Sequence, residues 1–127
     1  MNMIDNALGV HAQALGVRSQ RMEVLARNIA NGDTPNFKAR DVDFKTVLSS
    51  AQESALQTTN RQHINRADPD TPDGVMYRIP FDVAFDGNTV EMNVEQAKFG
   101  EAAADYQATL NILENRISGI RHALRGD

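Results

Sequence analysis

The sequence predicts a mainly α-helical fold: long N- and C-terminal helices packed as an antiparallel, coiled-coil-like pair, joined through an irregular, partly extended or disordered middle that holds at most a short strand pair. Three observations predict it. Apolar residues recur at alternating spacings of four and three near the start of the chain and again near its end. The stretch Ala26 to Phe44, A-R-N-I-A-N-G-D-T-P-N-F-K-A-R-D-V-D-F, halts the first of these patterns. Between the two patterns the chain is polar, acidic and rich in turn residues.

The first helix is expected from about Met3 to Ala30. Its seam is Ile4, Leu8, His11, Leu15, Arg18, Met22, Leu25 and Ile29, a heptad spacing with six apolar positions. A second stripe of smaller residues, Ala7, Val10, Ala14, Val17, Arg21 and Val24, lies beside it. Two adjacent stripes allow the helix to touch two neighbours; the plainer alternative is one wide core-facing stripe. Gly9 and Gly16 thin one face, each at about 1 kcal/mol of helix propensity relative to Ala. The helix should stop near Asn31-Gly32, with Gly32 in a left-handed cap. Pro35 then forbids continuation and pushes Thr34 into an extended conformation.

Asp41 or Asp43 can cap a short helix through Phe44, Val47, Leu48 and Ala51. Residues 52–75, with two prolines and few large apolar side chains, read as a mobile or disordered loop. Met76 to Phe85 is rich in β-formers and suits a strand or hairpin arm, which Pro80 restricts to an edge. Asp86-Gly87-Asn88 reads as a turn. The second helix should start near Asn93, as an N-cap with Gln96 three residues on, and with Glu95 in the first turn. Its seam is Phe99, Ala103, Tyr106, Leu110, Leu113, Ile117, Ile120 and Leu124, and Arg121 and Arg125 occupy the last turn. Such a helix is about 45 Å long, more than a small domain needs, which favours a coiled coil. The organisation is then residues 1–31 plus 93–127 as a terminal-helix unit, 32–51 as a joint with a short helix, and 52–92 as a loop and extended segment.

Composition narrows the function. The 127 residues make one domain at most, with a modest core and apolar surface left for a partner. The formal net charge is -4, against nucleic acid as a ligand. All of that charge sits in residues 32–93, where ten Asp/Glu face six Lys/Arg, while the helical ends are nearly neutral. The absence of Cys excludes thiol catalysis, disulfides and Cys-type zinc. His11, His63 and His122 form no metal-ligand spacing. The run Asp68 to Gly74 fails as a calcium loop, with Pro72 at its fifth position and Ile79 at its twelfth. No nucleophile motif, phosphate-cradling loop or carboxylate pair in an apolar setting is present, so an enzyme, a cofactor and a small-molecule substrate are all unexpected. No apolar run is long enough to span a bilayer. The first residues lack a positive n-region and an apolar h-region, so no cleaved signal peptide is expected. Architecture is left: two helices whose seams need more partner area than one small chain offers, which suits assembly.

The joint carries a resemblance. Asn28-Ile29-Ala30-Asn31, then Thr34-Pro35, then Phe37-Lys38, resembles the N-terminal signature of bacterial flagellar rod and hook proteins, N-x-A-N-x-x-T-P-G-Y/F. Ala39 to Phe44, Asp86 to Val90 and the closing helix resemble the short, proximal rod members of that family. The resemblance covers residues 1–48 and 77–127. One position departs: Asn36 stands where the family has Gly, and Asn is the side chain that best tolerates a left-handed backbone. The resemblance implies a structural subunit of the proximal flagellar rod, the basal-body drive shaft that carries torque from motor to hook. It implies a periplasmic place, export through the flagellar type III apparatus without a cleaved signal, and other rod subunits and basal-body ring or adaptor proteins as partners. It marks Asn28, Ala30, Asn31, Thr34, Pro35 and Phe37 as the joint. It makes Leu8, Leu15, Met22, Leu25, Ile29, Phe99, Tyr106, Leu110, Leu113, Ile117, Ile120 and Leu124 the interface of the helix seams. Asn28 and Asn31 are expected to hydrogen-bond backbone across the joint. The competing reading is a soluble coiled-coil adaptor or chaperone-like helical hairpin.

Overall fold

A computed structural model of the chain describes residues 3–54, 74–82 and 84–126. The order of elements is α1 (Met3–Ala30), β1 (Arg40–Val42), α2 (Phe44–Ser54), β2 (Val75–Tyr77) and α3 (Met92–Arg125). Helices α1 and α3 lie antiparallel: Asn28 near the end of α1 meets Glu95 near the start of α3, and Arg18 meets Asp105 at 2.7 Å further along. The loop expected over 52–75 begins later than the composition suggests, because α2 continues to Ser54; most of that expected loop lies outside the described residues.

The pair is stitched by a narrow buried line. On α1 it consists of Ala14, Val17, Leu25 and Asn28, and on α3 of Glu95, Ala102 and Thr109, seven apart. Small side chains at Ala14 and Ala102 bring the backbones close. The deeply buried apolar residues at 14 and 17 belong to the stripe of smaller residues. The large residues of the other stripe, Leu8, Leu15, Met22 and Ile29, flank this line half-buried, and Leu25 is fully enclosed. Helix α1 is not straight: Gly9 has φ 48 and ψ -138, outside the helical region, so a kink separates its first turns from the rest.

Four local expectations are corrected. Gly32 does not take the left-handed cap conformation. The last turn of α1 tightens instead, with Gly32 N donating to Ile29 O at 3.2 Å, and the side chain of Met92 occupies the place where a Cβ at position 32 would stand. Asn93 is not the cap of the second helix, which begins at Met92 behind Glu91, and Glu91 makes no side-chain capping bond. The strand expected over Met76 to Phe85 is confined to Val75–Tyr77. Its partner is not a hairpin neighbour but β1, antiparallel, with Arg40 opposite Tyr77 and Val42 opposite Val75. Of the two candidate caps for α2, Asp43 is the one used. Its Oδ1 accepts from Lys45 N at 3.1 Å and its Oδ2 from the Thr46 hydroxyl at 2.6 Å.

Candidate interaction site at the helix joint

The sequence between α1 and β1 must turn the chain sharply and send it across the start of α3. The turn is built on backbone polar groups that three asparagines satisfy. Asn28, on the buried face of α1, pairs with the backbone of Arg40 as a strand would: its Nδ2 donates to Arg40 O at 2.6 Å and its Oδ1 accepts from Arg40 N at 3.1 Å. The same Nδ2 donates to Glu95 Oε2 at 3.0 Å. Asn31 stays local, donating to Arg27 O at 2.8 Å and accepting from the Thr34 hydroxyl at 3.1 Å. Asn28 therefore bridges the joint, whereas the Asn31 side chain closes its own helix end.

The third asparagine is Asn88, which the sequence marks only as part of a turn. It is almost completely buried, and its Nδ2 lies within 3.0 Å of three carbonyls, those of Asn31, Gly32 and Thr34. All three lie just beyond the end of α1, in the turn that leads into the joint, and the Asn31 carbonyl also accepts from Thr34 N at 3.1 Å. Its Oδ1 accepts from Val90 N at 2.7 Å, which holds the amide in orientation. A cap supplied from more than fifty residues downstream has no local signature; the only signal at hand is an Asp-Gly-Asn triplet just before the second helix.

Asn36 carries φ 59, the left-handed conformation that its position demands. Its N donates to Asp86 O at 2.9 Å, and Gly87, itself at φ 74, passes directly beneath its side chain. A Cβ on Gly87 would stand 2.6 Å from Asn36 Oδ1. Thr89 adds two bonds: its N donates to Phe37 O at 3.0 Å, and its hydroxyl accepts from Ala39 N at 2.8 Å. Lys38 Nζ donates to Gly87 O at 2.6 Å. Thr34 and Pro35 are exposed at the tip of the turn, Ala30 is exposed, and Phe37 is half-buried.

Charge is buried here as well. Glu95 is 0 % exposed, enclosed between Asn28 and the guanidinium of Arg78, with which it forms an ion pair. The sequence places Glu95 in the first turn of the second helix and says nothing of its burial; its partner Arg78, delivered by the chain after β2, explains that burial. A second cluster sits one turn away. Asp41 accepts from Arg21 Nε at 3.0 Å, lies 3.6 Å from Lys98 Nζ, and takes a bond from Val42 N. Burial pushes the Asp41 carboxyl up, but the Arg21 and backbone bonds outweigh it and hold it below the ordinary carboxylate value. The Arg21 guanidinium is raised in turn, chiefly by the bond to Asp41. Arg18 lies over the ring of Phe44 at 4.6 Å, which fastens α2 to α1.

In the joint Glu95 pairs with Arg78 and Asp41 with Arg21 and Lys98, and among the described residues no group of three or more His, Asp or Glu could hold a metal ion. No described helix is long and apolar enough to cross a membrane. On α3, Phe99, Ala103, Tyr106, Leu110, Leu113 and Ile120 are half-buried, while Ile117 and Leu124 are exposed. Beyond Thr109 the helix has no fully buried side chain among the described residues.

The family model described as "Flagella basal body rod protein" matches residues 8–38, the second half of α1 and the joint included. The chain is similar along nearly its whole length to flagellar basal body rod proteins FlgB. It is 46% identical over 121 residues to that of Cereibacter sphaeroides (strain ATCC 17029 / ATH 2.4.9), covering 94% of each chain. It is 42% identical over 127 residues to that of Aeromonas hydrophila, covering 97% of this chain and 96% of the relative. The FlgB of Escherichia coli (strain K12) is 38% identical over 135 residues, covering 98% and 97%.

Proposed function

The chain belongs to the flagellar basal body rod protein family, and we propose from that premise how it serves in the rod. It is a structural subunit of the bacterial flagellar rod, and its site is an interface, not a reaction centre. The observation that carries the reading is the distribution of burial. The joint is closed by a dense polar network, whereas the far half of α3 leaves its apolar seam open. A rod subunit needs both. The rigid joint transmits torque without changing angle, and the open seam supplies the area that packs against other subunits.

In finer terms, the chain stands in the proximal, periplasmic part of the rod. Its neighbours there are other rod subunits and the basal-body ring or adaptor proteins. It reaches that place through the flagellar type III export apparatus without a cleaved signal. The terminal helices, residues 1–31 and 93–127, line the inner wall of the tube, and the part of the chain between them makes the outer contacts. The isolated chain gains order on docking, because burial of the seams offsets the entropy of fixing them.

Leu113→Asp tests the reading. Leu113 is half-buried on the open part of α3. The expected outcome is a chain that is expressed and helical by circular dichroism, is missing from purified basal bodies, and leaves cells non-motile. Wild-type motility in that variant would overturn the role of the seam. A soluble adaptor would instead bind its partner reversibly in solution and be indifferent to Pro35→Ala, at an exposed position of the turn.

A further inference from the structure

A cavity of about 350 Å³ lies against the joint, between the end of α1, the turn that follows it and β2. Three of its eight lining residues are cations, Arg27, Lys38 and Arg40, and none is a carboxylate. Val24, Phe37 and Tyr77 supply apolar wall, with Tyr77 66% exposed. Such a concentration of positive charge runs against the net charge of the chain, which is -4. The cations are also held in place. Arg40 Nη2 donates to the Tyr77 hydroxyl at 2.8 Å, and the guanidinium lies over the Tyr77 ring at 4.8 Å. Lys38 Nζ donates to Gly87 O at 2.6 Å. Neither acceptor is charged, so these contacts orient the two cations without neutralising them. Arg27 does meet a carboxylate, that of Glu23 at 3.1 Å, but the pair joins exposed side chains one helical turn apart and is weak.

A guanidinium stacked on an aromatic ring is a preorganised fork for a carboxylate. We propose that this cavity receives an acidic segment of a partner protein, one in which an apolar side chain stands beside the carboxylates. The carboxylates meet Arg40, Lys38 and Arg27, and the apolar side chain covers Val24, Phe37 and Tyr77. The apolar wall selects a peptide over a bare anion, because a small oxyanion leaves that wall wet. The lining comes from α1, the turn and β2, so an occupant that spans it ties the three together and stiffens the joint. No residue of α3 lines the cavity, so the contact is separate from the helix seam. The inference deepens the interface reading and rests on it for its setting.

The probe is a capped, fluorescein-labelled peptide with glutamates on both sides of a Leu-Phe pair, titrated with the whole 127-residue chain at low salt and followed by fluorescence anisotropy. Binding should weaken as salt is raised and should raise the melting temperature of the chain. The same peptide with glutamine in place of glutamate should bind about tenfold more weakly, and Arg40→Gln should cost about as much. Arg27→Gln and Lys38→Gln should each lower affinity several-fold, while Arg125→Gln, at the far end of α3, leaves it unchanged. All four side chains are exposed, and circular dichroism checks that each variant keeps its fold. Four results overturn the proposal: equal binding of the glutamine peptide, binding that survives Arg40→Gln and Lys38→Gln together, a loss in Arg125→Gln equal to that in Arg40→Gln, or displacement by inorganic phosphate beyond that by sodium chloride of equal ionic strength. Recovery of the wild-type chain in basal bodies is scored in parallel. Its absence there, with glutamate-dependent binding intact, counts against the rod reading alone; its presence, without such binding, counts against the cavity alone.

Discussion

Asn28 and Glu95 are 67 residues apart in the sequence and meet at 3.0 Å in the most enclosed part of the molecule. The amide that donates to Glu95 also pairs with the backbone of Arg40, so α1, the incoming β1 and the first turn of α3 share one side chain. Removing it leaves a buried carboxylate and a backbone carbonyl short of donors. Asn28→Ala is expected to lower stability by about 2–4 kcal/mol, measured as a shift of the urea midpoint. Asn28→Asp should be worse at neutral pH, because it sets a second carboxylate against Glu95. Like charges in one site raise a carboxyl pKa, so part of that loss should return as the pH is lowered. Equal stability of the two variants at every pH would show that Glu95 does not sense position 28.

Asn88 makes a different kind of contact, closing a helix end from a distant part of the chain. Asn88→Asp keeps the shape and the bond to Val90 N but replaces the two donor hydrogens that face the carbonyls of Asn31, Gly32 and Thr34 with acceptor lone pairs. It should therefore destabilise more than Asn88→Ala, for which about 1–3 kcal/mol is expected. Hydrogen exchange of the last turn of α1 separates a local effect from a global one. Faster exchange confined to residues 28–34 is the expected pattern.

Asp41 ties stability to acid. Its folded pKa lies below its ordinary value, so the contribution of its ion pair is fully present above the unfolded pKa near 4 and is lost as the pH falls through the folded one. Asp43, lowered by its bonds to Thr46 first, acts in the same direction at the start of α2. Urea titrations from pH 6 down to pH 2 should show an acid limb that Asp41→Asn flattens. The raised pKa of Arg21 moves further above the physiological range and adds nothing to this limb. An unchanged acid limb in Asp41→Asn would assign it to other carboxylates.

The helices are legible in the sequence because their periodicity is a property of the chain itself; the joint is legible only in part. Asn28 stands out by its place in the N-x-A-N pattern, and it does bridge to the Arg40 backbone. Asn31 has the same place in that pattern and bonds only locally with its side chain. Asn88 stands in a turn and in the Asp86 to Val90 run that resembles the family, but neither signals its bonds to the carbonyls of Asn31, Gly32 and Thr34, since a cap donated from a distant segment leaves the sequence around the capped end unchanged. Asn93 and Gln96 spell a capping box that the chain does not use, because α3 begins at Met92, one residue before the expected cap. Burial is hidden where charge decides it. A glutamate in a first helical turn says nothing of its burial, and only the ion pair with Arg78, 17 residues back along the chain, makes it a core residue. Tertiary partners of this kind are invisible to any window of neighbouring residues.

Asn36 and Gly87 provide the sharpest test of the joint, because each has a backbone conformation that its side chain must permit. Asn36 at φ 59 is strained for most residues, so Asn36→Ala should cost about 1 kcal/mol, while Asn36→Gly removes that strain and should be neutral or mildly stabilising. Gly87→Ala suffers twice. Its own φ of 74 disfavours a side chain, and the new Cβ would stand 2.6 Å from Asn36 Oδ1. The two penalties can be separated. Deleting the Asn36 side chain abolishes the clash and leaves only the backbone strain, so Gly87→Ala should cost less in the Asn36→Gly background than in the wild type. A coupling of about 0.5 kcal/mol or more in that double-mutant cycle is expected. Additivity would mean that the two turns do not touch in solution and that the angle of the joint is held by Asn28 and Asn88 alone.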